Sequence, residues 1–262
     1  MRSTLFFRAL PALLAGGCLA AQAQAQASLS LCHEDAENFP WVLSGGRQGY
    51  AQLMMAEVAK QAQLTIKLHP MPWKQCLEAV KDGSMNGAIA GSYSKERTEF
   101  AVYPMEGVQP DTTRRMYNAS YAIYRHKNHP VAWDGKELKL SGLMGAQAGF
   151  SVVAQLKELG AQVEDSTKSA DEVLRRVAEG RYRAGVVSIN EGQASLAQDA
   201  TLRANLVRVD PPMSEKAYYA FFNKDFAARN ELTTRLIWSG IKIVRNNPSF
   251  KIRMVRLTQG VE

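Results

Sequence analysis

Residues 64–91 read LTIKLHPMPWKQCLEAVKDGSMNGAIAG. Leu64 to Leu68 alternates apolar and polar side chains, the period of a strand with one buried face. A helix is expected from about Trp73 to Lys81, where Asp82-Gly83 supplies a stop. Gly87 to Gly91 is short, small and apolar, as in a buried strand. Strand, helix and strand in so short a run imply an α/β layer with a largely parallel sheet.

The pattern extends in both directions. Upstream, Ser28 to Cys32 reads as a first strand, and Phe39-Pro40-Trp41 with Ser44-Gly45-Gly46 reads as a loop. A helix follows with Tyr50, Ala51, Met54, Met55, Val58 and Ala62 on one face. Downstream a similar order recurs. Leu138 to Met144 is strand-like, Gly149-Phe150-Ser151 opens a helix to about Leu159, and Gln162-Val163 forms a short strand. Ala170 to Ala178 is helical with Val173, Leu174 and Val177 inside, and Ala184 to Val187 is a buried strand. Tyr117 to Tyr124 and Ala217 to Phe222 flank this second unit and are expected to pair as crossover strands. A final helix, about Ala227 to Arg245, returns to the first unit. The expected fold is therefore α/β with two lobes, residues 28–118 plus 211–262 and residues 119–210, around a cleft.

The chain has 262 residues and a formal charge of +7. Arg2 and Arg8, the apolar run Leu5 to Leu19, and the A-x-A pattern of Ala21 to Ala27 read as a signal peptide over residues 1–27. Cleavage is expected near Ala23 to Ala27, with export to the periplasm; an anchor helix or a lipid on Cys18 are the alternatives. Loss of Arg2 and Arg8 lowers the charge to +5. Without a run of five or six basic residues, no nucleic-acid partner is expected. The mild positive balance suits an anionic ligand. After export Cys32 and Cys76 are left in an oxidising compartment, where a disulfide is expected and two buried thiols are the alternative. With no Cys-x-x-Cys, such a bridge would be structural.

Four segments carry a resemblance over nearly all of the mature chain: Phe39-Pro40-Trp41 with Gly49-Tyr50, Pro72-Trp73, Gly91-Ser92-Tyr93-Ser94-Lys95-Glu96-Arg97, and Gly180-Arg181-Tyr182-Arg183-Ala184-Gly185-Val186-Val187. The sequence resembles the polar amino-acid type of periplasmic solute-binding proteins, bacterial extracellular solute-binding protein family 3. The resemblance implies the type II two-lobed fold and a small-molecule solute, with an inner-membrane ABC permease as partner. It also implies that Arg97 grips a ligand carboxylate, for which a guanidinium offers two parallel charged hydrogen bonds. The alternative is a surface arginine paired with Glu96 or Glu99. Ser92 matches a hydroxyl that bonds the same carboxylate, and the small Ala90 beside it leaves backbone open. Trp73 matches a stacking aromatic, Trp41 or Phe39 the opposite wall, and Glu34 a polar contact after the first strand. Phe150 and Ser151 lie at a turn whose helix N-terminus attracts carboxylates; Ser151 could instead serve only as a cap.

Two positions depart from the family. The acid usually found four residues after the glycine-like position is missing, where this chain has Arg183-Ala184. The aspartate that usually holds the ligand ammonium is replaced by Ser188, followed by Ile189, Asn190 and Glu191. Ser188, Asn190 and Glu191 are expected at the ligand, with Glu191 or Glu34 to supply charge if the ligand carries an amine. An enzyme on the same fold, of the cyclohexadienyl or arogenate dehydratase type, would use Glu34 or Glu191 as acid. No Gly-x-Ser-x-Gly or His-Glu-x-x-His occurs, and His33, His69, His126 and His129 lack metal-ligand spacing. The expectation is a monomeric binding protein, not an enzyme, without metal or cofactor. A sensor module working with a separate signalling partner is the third class.

Overall fold

The computed structural model describes residues 28–259. The expected leader at residues 1–27, with Cys18, lies outside them. The first unit is built from β1 (Ser28–Glu34), α1 (Tyr50–Ala62), β2 (Thr65–Met71), α2 (Trp73–Lys81) and β3 (Gly87–Ser92). β1 lies between β2 and β3 and runs parallel to both. Pro70, which has no N–H, is tolerated because β2 ends the sheet. The face of α1 that the spacing selected is the one that packs, with Ala51, Met54, Met55 and Val58 all buried.

The second unit follows β4 (Tyr117–His126): β5 (Leu143–Gln147), α3 (Val152–Glu158), β6 (Gln162–Thr167), α4 (Ala170–Ala178), β7 (Ala184–Ser188), α5 (Ile189–Gln198) and α6 (Ala200–Asn205). β5 is parallel to both β6 and β7. Val173, Leu174 and Val177 turn inward from α4, as their spacing implied.

The chain returns through β8 (Leu206–Asn223), which joins the units into one sheet of order β6-β5-β7-β4-β8-β3-β1-β2. β8 and β4 are antiparallel partners along most of β4, so the two segments expected as crossovers do pair. The ladder breaks between Val209 and Ser214, where Pro211 and Pro212 offer no N–H. Beyond it, Tyr218 to Phe222 pairs with β3.

Three local expectations change. Leu138 to Met144 is not one strand: Leu138–Lys139 forms a small hairpin with Ala132–Trp133, and β5 starts only at Leu143. Gly142, at φ +119°, turns the chain between them. Ser188 to Glu191, expected at the ligand, is the start of α5, for a reason given below. The final helix is three: α7 (Lys224–Arg229), α8 (Glu231–Asn246) and α9 (Pro248–Gln259). Asn230 leaves helical geometry, and Pro248 opens α9 where its missing N–H costs nothing. α8 packs on the first unit, where Gly240 brings its backbone against Val58. Trp238 Nε1 donates to the Ala220 carbonyl of β8 at 2.8 Å.

Cys32 and Cys76 are bonded, with Cα atoms 5.6 Å apart. The bridge ties β1 to the first turns of α2, in the same buried cluster as Trp73 and Phe221. It closes a long loop, which restricts the unfolded chain. Replacing both cysteines by alanine is expected to lower stability by about 2–4 kcal/mol. Urea unfolding of that variant and of the reduced wild type should show matching losses. An unmoved midpoint in both would mean that the bridge does not brace the fold.

Candidate functional site

β3 ends beside the interface between the two units, and its geometry is irregular there. Its pairing with β8 shifts register between Tyr219 and Phe221, so β3 carries one extra residue. Ala90 takes that excess at φ +59°. A left-handed backbone at a residue with a Cβ is strained and persists only where its surroundings hold it. At Gly91 no Cβ fits, because one would stand 2.3 Å from the Phe221 ring and 3.0 Å from Trp73. The bulge turns β3 toward the other unit and delivers Ser92 to the cleft.

The cleft is narrow and nearly closed, with a cavity volume of about 20 Å³. Glu34, Trp73, Ala90, Ser92, Arg97, Phe150 and Ser151 line it, all residues singled out from the sequence. Asn38, Val42, Gly91 and three tyrosines, Tyr117, Tyr121 and Tyr218, complete the wall. The sequence reading passed over the tyrosines because it treated their strands as connectors. Tyr117 and Tyr121 are an even number of residues apart on β4, so they share a face.

Arg97 is only 5% exposed and does not pair with Glu96 or Glu99. Its guanidinium donates to the Ser92 carbonyl and to the Gly149 carbonyl, each at 2.8 Å. The second bond crosses from the first unit to the second. The guanidinium also lies over the Trp73 ring, 5.3 Å from its centroid. Among the described residues no carboxylate reaches it. A buried cation compensated only by neutral dipoles is a ready receptor for an anion.

Ser92 Oγ and Ser151 Oγ form a hydrogen bond of 2.7 Å across the same boundary. Ser151 precedes α3 but makes no capping hydrogen bond. Its hydroxyl instead accepts from Lys216 Nζ at 3.0 Å. Lys216 stands on β8, its ammonium 5.9 Å from the centre of the Tyr121 ring. Burial, aided by the charge of Arg97, lowers its pKa to about 8. Nothing in the sequence pattern marked this lysine.

Glu34 lies at the end of β1. Its carboxylate accepts from the backbone N–H groups of Asp35 at 3.0 Å, Ala36 at 3.2 Å and Trp73 at 3.2 Å. It therefore caps the N-terminus of α2 as well as facing the cleft. Burial pushes its pKa up to about 7, helped by neighbouring Asp35.

Four of the expected site residues stand off the wall. Trp41 is stacked on Tyr117 at 4.1 Å between centroids, and Tyr117 is stacked on Tyr218 at 4.8 Å, so Tyr117 faces the cleft and Trp41 backs it. Ser188 is the N-cap of α5: its hydroxyl accepts from Glu191 N–H at 3.3 Å and donates to Glu191 Oε2 at 2.6 Å. Gln147 Nε2 donates to Glu191 Oε1 at 3.1 Å. The spacing Ser188-x-x-Glu191 is that of a capping box, a sequence signal for a helix start. Glu191 is buried, which raises its pKa against the pull of these bonds. Asn190 falls in the same first turn, away from the wall.

No family model and no curated protein matches the sequence. Solved structures do. A histidine kinase sensor domain with similarity to periplasmic binding proteins superposes with a TM-score of 0.71 at 16% identity, covering 88% of this chain and 95% of that one. An ancestral arginine-binding protein bound to arginine gives 0.67 at 17% identity, covering 88% and 97%. The substrate-binding protein of an amino acid ABC transporter gives 0.66 at 13% identity, covering 88% and 98%. The chain has the type II two-lobed fold of periplasmic binding proteins.

Glu34 makes a pH prediction. A carboxyl with a raised folded pKa favours the fold fully below its unfolded value, and loses that contribution as pH rises through about 7. Glu34→Gln is expected to flatten the decline in stability between about pH 4.5 and pH 7, read by urea unfolding at several pH values. An unchanged slope would mean that Glu34 does not titrate across this window.

Proposed function

We propose that this chain is the periplasmic solute-binding receptor of an ABC-type uptake system, and that its solute is a small acid gripped through a carboxylate. The observation that carries this reading is Arg97: buried, bonded to two neutral carbonyls, and unpaired with any carboxylate among the described residues. A ligand carboxylate would replace neutral acceptors with an ionised one that can take two parallel N–H bonds from the guanidinium. The leader expected over residues 1–27 supports a periplasmic location, and the likeness to an ABC transporter's substrate-binding protein supports the permease partner.

Binding proceeds by lobe closure. We take the first lobe as residues 28–118 plus 211–262 and the second as 119–210. Solute meets Arg97 and Ser92 on the first lobe. Closure adds Phe150, Ser151 and the Gly149 carbonyl from the second. A ligand biases closure only through contacts that differ between the open and closed forms, and these second-lobe groups supply that difference. The closed monomer is the form that the permease would read.

Catalysis has less support. Glu34 is engaged by three backbone N–H groups, and Glu191 is held by Ser188 and Gln147 off the cleft wall. A sensor reading draws support from the likeness to a histidine kinase sensor domain, and would use the same cleft and closure with a different downstream partner.

Arg97→Ala is the direct test. Each charged hydrogen bond lost is worth about 1.5–3 kcal/mol, so affinity for a carboxylate ligand should fall by at least about 100-fold. Isothermal titration calorimetry measures the loss, and circular dichroism confirms that the fold persists. Affinity retained within a factor of about three would overturn the assignment of Arg97 as the carboxylate grip.

A further inference from the structure

Helix α8 has two faces. Thr234, Ile237, Trp238, Ile241 and Val244 are buried. On the other side Leu232 is 82% exposed, Ile243 60% and Leu236 44%. At 3.6 residues per turn these three fall within about 40° of one another, so they form one stripe. Arg235 and Lys242, both exposed, run along one edge of it. In α9, Phe250, Met254 and Leu257 are buried, while Ile252 is exposed between exposed Lys251 and Arg253.

Charge collects on the same two helices, although no basic run marks them. Residues 230–259 hold six basic residues against one acid, Glu231, a net of +5. That equals the whole excess left after loss of Arg2 and Arg8, so the rest of the mature chain is balanced. Five of the six are exposed; the sixth, Arg245, donates to the Thr113 carbonyl at 2.9 Å. Glu231 pairs with Arg235 at 2.6 Å, but both side chains are 68% exposed, where an ion pair is worth little. Single exposed apolar side chains are ordinary on a protein surface. An aligned stripe with a cationic edge is the pattern of a helix that lies in the headgroup layer of a bilayer.

The chemistry narrows the occupant. A second copy docked about a twofold axis would bring this face against itself, with Arg235 and Lys242 beside their own images. A protein hot spot is usually built on Trp, Tyr or Arg seated in a pocket. The two aromatic residues of these helices, Trp238 and Phe250, are buried instead. We propose that α8 and α9 form a membrane-contacting face for anionic phospholipid. Leu232, Leu236 and Ile243 enter the headgroup layer, and Arg235, Lys242 and the basic residues of α9 meet lipid phosphates. This face uses no residue of the solute cleft, so the inference stands or falls apart from the receptor reading.

Vesicle co-sedimentation of the mature chain, from Ser28 on, tests it. Partition into phosphatidylcholine vesicles containing phosphatidylglycerol is expected to exceed that into phosphatidylcholine alone by at least about tenfold, since each basic residue near an anionic surface contributes roughly fivefold. Arg235→Gln with Lys242→Gln should lower the anionic partition at least about fivefold. Leu232→Ser with Leu236→Ser leaves the charge unchanged and should lower it at least about tenfold. Lys136→Gln with Lys139→Gln, an equal loss of charge on the hairpin at residues 132–139, should change it less than about twofold, because exposed charges away from the contact are screened. Circular dichroism checks each fold, and if the serine variant does not fold the two charge variants decide. Equal partition into neutral and anionic vesicles, binding to neither, or equal losses from the two charge variants would overturn the proposal. So would a dimer in sedimentation velocity that Leu232→Ser with Leu236→Ser dissolves, because a second copy would then cover the stripe.

Discussion

A guanidinium taken out of water must be supplied with acceptors, and at Arg97 that demand organises the cleft. One N–H reaches back to the Ser92 carbonyl, and another crosses to the Gly149 carbonyl of the second unit. The Trp73 ring covers the flat face. Each partner is held by something else. Trp73 is anchored through its backbone N–H to Glu34, and the helix that it opens is tied to β1 by the disulfide. Ser92 is delivered by the bulge that leaves Ala90 at positive φ. Gly149, itself at φ +73°, sits in the turn that leads to Ser151. The arginine is thus a common reference for both units, and a change at any of these points alters how it is presented.

The second constraint is the ladder between β4 and β8. Antiparallel pairing makes two strands far apart in sequence into one ribbon through the whole molecule. It places Tyr117, Tyr121 and Tyr218 together as an aromatic wall, and it brings Lys216 within hydrogen-bond reach of Ser151. Connection and ligand wall are therefore the same element. Its break around Pro211 and Pro212 ends at Ser214, opposite Tyr121, and from there the ladder runs without a shift to Tyr218 opposite Tyr117.

Charge follows from burial as much as from composition. The net positive balance of the chain comes without a basic run. Around the cleft it gathers: Arg97 is buried, Lys216 is half-buried within electrostatic reach of it, and Glu191 is held by Ser188 and Gln147. Burial moves Lys216 down to about 8 and Glu34 up to about 7, both toward their neutral forms. Low polarity around them makes the remaining electrostatics count for more than on an exposed surface.

Periodicity, turn residues and spacing by themselves determined the α/β class, the helices at Trp73–Lys81 and Ala170–Ala178, and the buried faces of α1 and α4. These are local matters, settled by which side chains recur on one face. The short motif around Ser92 and Arg97 was likewise legible, because its residue types stand close together in the chain. Only the tertiary structure decided what lies opposite them. Tyr218 and Lys216 come from a strand more than a hundred residues away, brought in by pairing that no local pattern encodes. Trp41 was displaced from the wall because Tyr117 stacks in front of it. Ser188 and Glu191 were taken from the ligand because they satisfy each other at a helix start. A sequence specifies which groups need partners; the packed fold decides which groups become those partners and which remain free to bind.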